Sequence, residues 1–388
     1  MTYIYYNVSM DIYISTIKES VMLFPLVALI ISLPFFIWSY RKYGSFTLLR
    51  ALILYSFSFY LLTAYFMVIL PLPTIEDVAA MTGPLMDLNP GSFIINYLKS
   101  RTLFSLFEPI FNILILIPFG IYARYYFRYS LKKTILLAFL LSLFFELTQL
   151  SGLYGIYPRP YRLFSVDDLI LNTLGGIVGY AIAPLFMKLL PSRECLDEKS
   201  YEKGERVSLL RRAVALFIDY IILVLLMGLV SYGMDALGIR TLGLGKDDFA
   251  LIVNMICVFI YFIIICYFLK GQTVGKAIVR IRVVRSDKTD MRPSFWSLIK
   301  RYVILYYFIC PVFYLLFHLR GTESAADKNF LLGELIVVFS VCILFAINFL
   351  YALLSRRHRL IYETLSSTVV ISTVQENEKE TQIPSENQ

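Results

Sequence analysis

Residues 21–40 read VMLFPLVALIISLPFFIWSY, twenty positions without a single charge. A helix needs about 17–25 such residues to cross ~30 Å of hydrocarbon, so this stretch alone points to a membrane span. The chain around it repeats the pattern. Further apolar runs cover Ala51–Leu72, Pro109–Ala123, Thr134–Tyr157, Leu169–Met187, Ala213–Met234, Phe249–Leu269, Tyr302–Leu319 and Leu335–Leu354. Among these nine segments only Glu146 and Asp219 place a charge inside a run. The third run is short, and Thr102–Phe107 extends it if Glu108 faces protein or headgroups. Of the 388 residues, 58% are apolar or aromatic and 16% are charged, with a mean hydropathy of +0.70. Soluble domains average roughly 45–50% and about 25%, which excludes an ordinary soluble enzyme. The fold class predicted is an all-α polytopic membrane protein with about nine transmembrane helices. Val21–Tyr40 has no basic n-region before it and no small-residue cleavage site after it, so it is read as a lasting anchor.

Basic residues orient the spans. With the N-terminus outside, the inner segments 41–50, 124–133, 188–212, 270–301 and 355–388 hold 27 of the 36 Lys and Arg, and the outer segments hold nine. This bias predicts a plasma-membrane, multi-pass protein with its N-terminus outside and its C-terminus in the cytoplasm. The net charge of +8 then reads as topology and attraction to anionic inner-leaflet lipid; no nucleic-acid partner is expected.

The charged stretch PSRECLDEKSYEKGERV, Pro191–Val207, divides the spans into five plus four. The domains expected are a short extracytoplasmic N-terminus at 1–20, a five-helix membrane domain at 21–188, a cytoplasmic linker at 189–205, a four-helix domain at 206–373 and a disordered tail at 374–388. The inner loop 270–301 contains Arg280-Ile281-Arg282-Val283-Val284-Arg285, whose period-2 pattern predicts a strand. Ser367–Ser372 is similarly β-like, so the two are expected to pair as a small cytoplasmic β-ribbon. Pro293–Arg301 reads as a short amphipathic helix with Trp296 at the interface. Cys195, Cys257, Cys266, Cys310 and Cys342 show no metal-ligand spacing, and His318 and His358 are the only histidines. No cofactor, metal or catalytic residue is expected.

Polar groups inside spans are costly, so their depth is informative. Glu146 and Gln149 on the fourth span, Asn112 on the third, and Asp167, Asp168 and Asn172 at the start of the fifth fall at similar depth in the outer half of the bilayer. Glu108 lies four residues before Asn112. Arg159 and Arg162, in the intervening loop, are expected to pair with these carboxylates. One reading of the cluster is a satisfied interhelical network, and the other is contact with a substrate. Gly175, Gly176 and Gly179 lie on the fifth span, where Gly175, Gly179 and Ala183 form a small-residue packing stripe.

Asn112–Gly120 (NILILIPFG), Glu146-x-x-Gln149 and the run Arg162, Asp167, Asp168, Asn172, Gly175, Gly176, Gly179, Tyr180 resemble the VanZ-like family over about residues 21–188. The resemblance implies a bacterial envelope protein, since the founding member lowers susceptibility to the lipoglycopeptide teicoplanin.

In the second group of spans, Asp219 follows Arg212 by seven residues, nearly two turns, so the two share a face about 10 Å apart. A buried Asp can be protonated, paired with a cation, or line an ion path; a structural hydrogen bond is the alternative. Arg212, Asp219-Tyr220, the loop Gly271-Gln272-Thr273-x-Gly275-Lys276 and the closing Thr368-Val369-Val370 resemble an RDD family domain. The resemblance expects an Asp five residues before the closing Thr, where this chain has Glu363. Sodium/proton exchange in some members is what it implies.

The leading functional expectation is a non-enzymatic envelope protein that alters the response to lipoglycopeptides. Its partners would be membrane lipids and lipid-linked wall precursors or lipoglycopeptides at the outer leaflet. The first alternative is a cation/proton antiporter through Asp219, with sodium ions and protons as partners. The second is an enzyme acting on a lipid-linked headgroup through Asp167 and Asp168. No nucleotide-binding loop, nucleophile elbow or zinc motif supports that last reading.

Overall fold

The computed structural model describes residues 10–100, 102–236, 246–287, 292–307 and 360–374, with scattered positions between 339 and 351. Six helices among these residues are long and apolar enough to cross a membrane, which makes the chain a multi-pass membrane protein. They are α1 (Met10–Tyr43), α2 (Leu48–Ile69), α3 (Phe107–Tyr125), α4 (Leu131–Leu150), α5 (Val166–Met187) and, after α6 (Arg193–Gly204), α7 (Leu209–Ala236). The seventh expected span is α8 (Lys246–Phe259), continued through a π-helical segment, Ile260–Ile265, into Cys266–Phe268. The eighth is described only to Tyr307. Apart from scattered positions, the ninth lies outside the described residues, as does the polar tail beyond Val374.

Two boundaries differ from the sequence reading. α1 begins at Met10, eleven residues ahead of the apolar run. α4 ends at Leu150, because Gly152, Leu153, Tyr154 and Gly155 all take positive φ. A left-handed turn cannot continue a right-handed helix. The segment 191–207 is largely the charged helix α6, in which Asp197 takes Arg50 at 2.6 Å and Arg193 at 3.0 Å.

The chain packs into two compact units. Among the described residues, the first takes in those up to Ser32 and Thr47–Glu198; the second takes in Leu33–Phe46 and those from Lys199 onward. In the first unit, Ala64, Leu116, Phe119, Ala138 and Phe145 form a core shared by α2, α3 and α4. α3 and α5 touch backbone to backbone. A Cβ on Gly175 would collide with the carbonyl oxygen of Ile113, and one on Gly179 with that of Ile117. Only glycine permits this approach.

The second unit buries Tyr40, Val214, Ile218, Tyr261, Phe262, Val283, Leu298 and Tyr302 in one core. In the first unit β1 (Met86–Asp87) and β2 (Phe164–Ser165) form a short parallel pair; in the second unit β3 (Ile281–Arg285) and β4 (Thr368–Ser372) pair antiparallel, with Val283 opposite Val370, as the alternation predicts. The amphipathic helix appears as α10 (Phe295–Tyr302), capped by Ser294, with Trp296 70% exposed. Between α8 and β3 lies α9 (Val274–Ile278), whose N-cap Thr273 accepts from Lys276 N.

Candidate functional site

In the first unit the polar residues sit one turn apart on three helices. Glu108 and Asn112 lie on α3, Ser142 and Glu146 on α4, and Asp168 and Asn172 on α5. Asn112 Nδ2 donates to Asp168 Oδ1 at 2.5 Å, and Asn172 Nδ2 donates to Ser142 Oγ at 2.9 Å. Glu146, 2% exposed, accepts from Ser165 N at 3.0 Å, just ahead of α5. Asp168 also feels the charges of Glu146, Glu108, Asp167 and Arg162.

The arginines and Asp167 take other partners than the sequence suggests. Arg162 donates to the carbonyls of Val68 and Leu70 at 2.9 and 3.0 Å, and Gln149 Nε2 adds a bond to Val68 O at 2.8 Å. The last carbonyls of α2 have no intrahelical partner, and a cation there also meets the negative end of the helix dipole. Arg159 likewise donates to the carbonyls of Met81 and Gly83. The expected pairing of Arg159 and Arg162 with the carboxylates is therefore replaced by loop and helix-end carbonyls. Asp167 turns away from Asp168: its carboxylate accepts from Gly91 N at 2.6 Å and Phe93 N at 2.9 Å, pinning the start of the short helix Ser92–Ser100. Ser142, which joins Asn172 to the backbone of Asp168, was missed because a serine inside an apolar run carries no sequence signal of its own.

In the second unit, Asp219 is fully buried and gathers four donors. Tyr261 Oη donates at 2.7 Å, Thr273 Oγ1 at 2.6 Å, Gly275 N at 2.7 Å, and Lys276 Nζ lies at 3.6 Å. Gly275 has to be glycine, since a Cβ would stand 2.6 Å from Asp219 Oδ1. The partner of Asp219 is thus Lys276 and not Arg212. Arg212 instead donates to Glu363 Oε2 at 2.8 Å, and Arg301 donates to Glu363 Oε1 at 3.1 Å. Glu363, with no exposed surface, bridges two arginines. Arg211, also fully buried, donates to Val279 O, Arg280 O, Gly204 O and Ser372 Oγ. Lys276 belongs to the RDD-like stretch Gly271–Lys276, but its role depends on a contact between α7 and α9 that periodicity cannot give.

These two constellations coincide with two family matches. A VanZ/LLP1 family model matches residues 57–187, and an RDD family model matches residues 206–365. The chain joins a VanZ-like domain to an RDD domain. No curated protein and no solved structure matches it. In the VanZ-like domain the matched residues bring together carboxylates and amides that no described cation pairs with. In the RDD domain the buried carboxylates Asp219 and Glu363 are each met by cations and hydrogen-bond donors. Among the described residues, no group of three or more His, Cys, Asp or Glu is placed to hold a metal ion.

Proposed function

We propose that this membrane protein belongs to the bacterial cell envelope and lowers susceptibility to lipoglycopeptides of the teicoplanin kind. The reading is non-enzymatic and places the working site in the VanZ-like domain. The observation that carries it is the three-helix cluster of Asn112, Ser142, Glu146, Asp168 and Asn172, where Asp168 keeps a half-buried carboxylate whose side-chain partner is an amide. Structural polar networks in bundles normally close on themselves; this one leaves acceptors in excess. On this reading the cluster meets lipid-linked wall precursors or lipoglycopeptide at the outer leaflet, with the N-terminus outside and the C-terminus in the cytoplasm.

Asp219, with four donors around it, is better suited to holding α7, the π-helical segment and α9 together than to cycling a proton or sodium ion. Asp167, committed to two backbone amides, leaves no free Asp-Asp pair for headgroup chemistry. A strain lacking the gene, assayed in parallel for teicoplanin susceptibility and for sodium tolerance at alkaline pH, separates the readings. We expect greater susceptibility and unchanged sodium tolerance. Complementation by Asp168→Asn should fail although the protein reaches the membrane. Unchanged susceptibility of the deletion strain would sink the proposal.

A further inference from the structure

The cluster in the VanZ-like domain is built from one device used three times. Each helix offers a neutral polar side chain and a carboxylate four residues apart: Glu108 and Asn112, Ser142 and Glu146, Asp168 and Asn172. Four residues is about one turn, so each pair shares a face. The pairs interlock through Asn112–Asp168 and Asn172–Ser142. Asp168 senses the negative charges of Glu108, Glu146 and Asp167, yet none of these acids forms an ion pair with a described residue. Arg162 is electrostatically within reach, but its guanidinium is committed to Val68 O and Leu70 O.

A second, independent observation concerns Asn172. It is 3% exposed, its amide nitrogen is held by Ser142 on the face that carries Asp168, and its Oδ1 accepts no hydrogen bond. An orphaned buried acceptor is destabilising until something donates to it. Asn172 lies one turn from Asp168 on α5, and its partner Ser142 lies one turn from Glu146 on α4. The missing partner is therefore a group that donates hydrogen bonds, and the carboxylates on the same helix faces favour one that carries positive charge. Among the described residues no group of three or more His, Cys, Asp or Glu is placed to hold a metal ion, and hydrogen-bond donors are what an orphaned amide oxygen lacks. Glu108 and Arg162 are exposed at its rim and Asp168 is half-buried, so the cluster is reachable.

We propose that this three-helix cluster binds a primary ammonium group, whose three N–H donors answer the acceptors of α3, α4 and α5. The inference rests on the reading that the cluster contacts a ligand, and it names the chemistry of that ligand. The ammonium can belong to a lipid headgroup or to a peptide amine. A quaternary ammonium has the charge but no N–H, and an alcohol has a donor but no charge.

The test uses the full chain in phosphatidylcholine nanodiscs, followed by thermal unfolding with dodecylammonium, dodecyltrimethylammonium or dodecanol. Dodecylammonium should raise Tm by about 3 °C at roughly ten times its Kd, and the other two should not. Asp168→Asn and, separately, Asn172→Leu should abolish the rise; the Tm of each variant without amine reports its folding. If either variant fails to fold, Glu146→Gln and the wild-type contrast between primary and quaternary amines still decide. Replacing phosphatidylcholine by phosphatidylethanolamine should remove the response if a lipid headgroup fills the site. Competition by a lysine-containing peptide would point to a peptide amine. Equal responses to the primary and quaternary amines, or a full response in Asp168→Asn, would overturn the proposal. Amine selectivity alongside an unchanged deletion strain would count against the proposed function alone. Altered susceptibility without amine selectivity would count against this inference alone.

Discussion

Asp219 and Glu363 are both fully buried carboxylates in the RDD domain, and each survives burial only because cations and donors surround it. Removing one member of such a set leaves an uncompensated charge, at a cost of roughly 3–5 kcal/mol. Lys276→Met should therefore lower the Tm of the detergent-solubilised protein clearly. Combining it with Asp219→Asn should recover part of the loss, because the charge that needed Lys276 is gone. Additive losses in the double variant would show that Lys276 does not compensate Asp219. At Glu363 the extra methylene matters. A single glutamate reaches Arg212 at 2.8 Å and Arg301 at 3.1 Å, and the shorter aspartate of the family pattern would loosen one of these contacts. Glu363→Asp is expected to cost about 1–2 kcal/mol and Glu363→Gln about 3 kcal/mol or more, read again as Tm. Equal stability of the Gln variant would argue that the two arginines do not need the charge.

The α3–α5 pair depends on small residues, and the structure separates glycines that pack from glycines that do not. Gly179 faces the carbonyl of Ile117, so Gly179→Val must push the helices apart; overpacking of this kind costs about 1–3 kcal/mol. Because Asn112 and Asp168 meet across the same pair, that variant should also weaken the proposed amine response. Gly228 on α7 is the control: a Cβ there meets nothing within 4 Å. Gly228→Ala should leave Tm unchanged or raise it, since alanine favours a helix by up to about 1 kcal/mol. A loss at Gly179 with no loss at Gly228 is the expected result; similar losses would mean that helix packing does not distinguish them.

Across the whole molecule, the basic residues predict that 270–301 and the α6 region share one side of the membrane. Single cysteines introduced into 270–301 of a cysteine-free variant should resist an impermeant thiol reagent applied to intact cells, and react once the cells are opened. Labelling from outside would overturn the N-out arrangement. β3 and β4, which the alternation of Arg280–Arg285 and the β-like run at 367–372 made legible, belong to the second compact unit with α9 and α10. Leu33–Phe46 joins that unit too, through Tyr40 and its neighbours in the core, although an apolar helix alone gives no hint of which unit its end will enter.

The sequence by itself determined where the chain is apolar enough to cross a membrane, where a ribbon forms, and which polar residues share a helix face. Each of these follows from spacing along one element, where periods of 3.6 and 2 are written directly in the residue order. It did not determine partners. Arg212 and Asp219 share a face, yet Arg212 closes on Glu363, 151 positions away, while Asp219 takes Lys276 across α7 and α9. Arg162 lies near acidic residues in sequence and instead caps the carbonyls of α2. A long side chain goes to the unsatisfied group that packing brings within its reach, and only the tertiary structure decides which buried group that is.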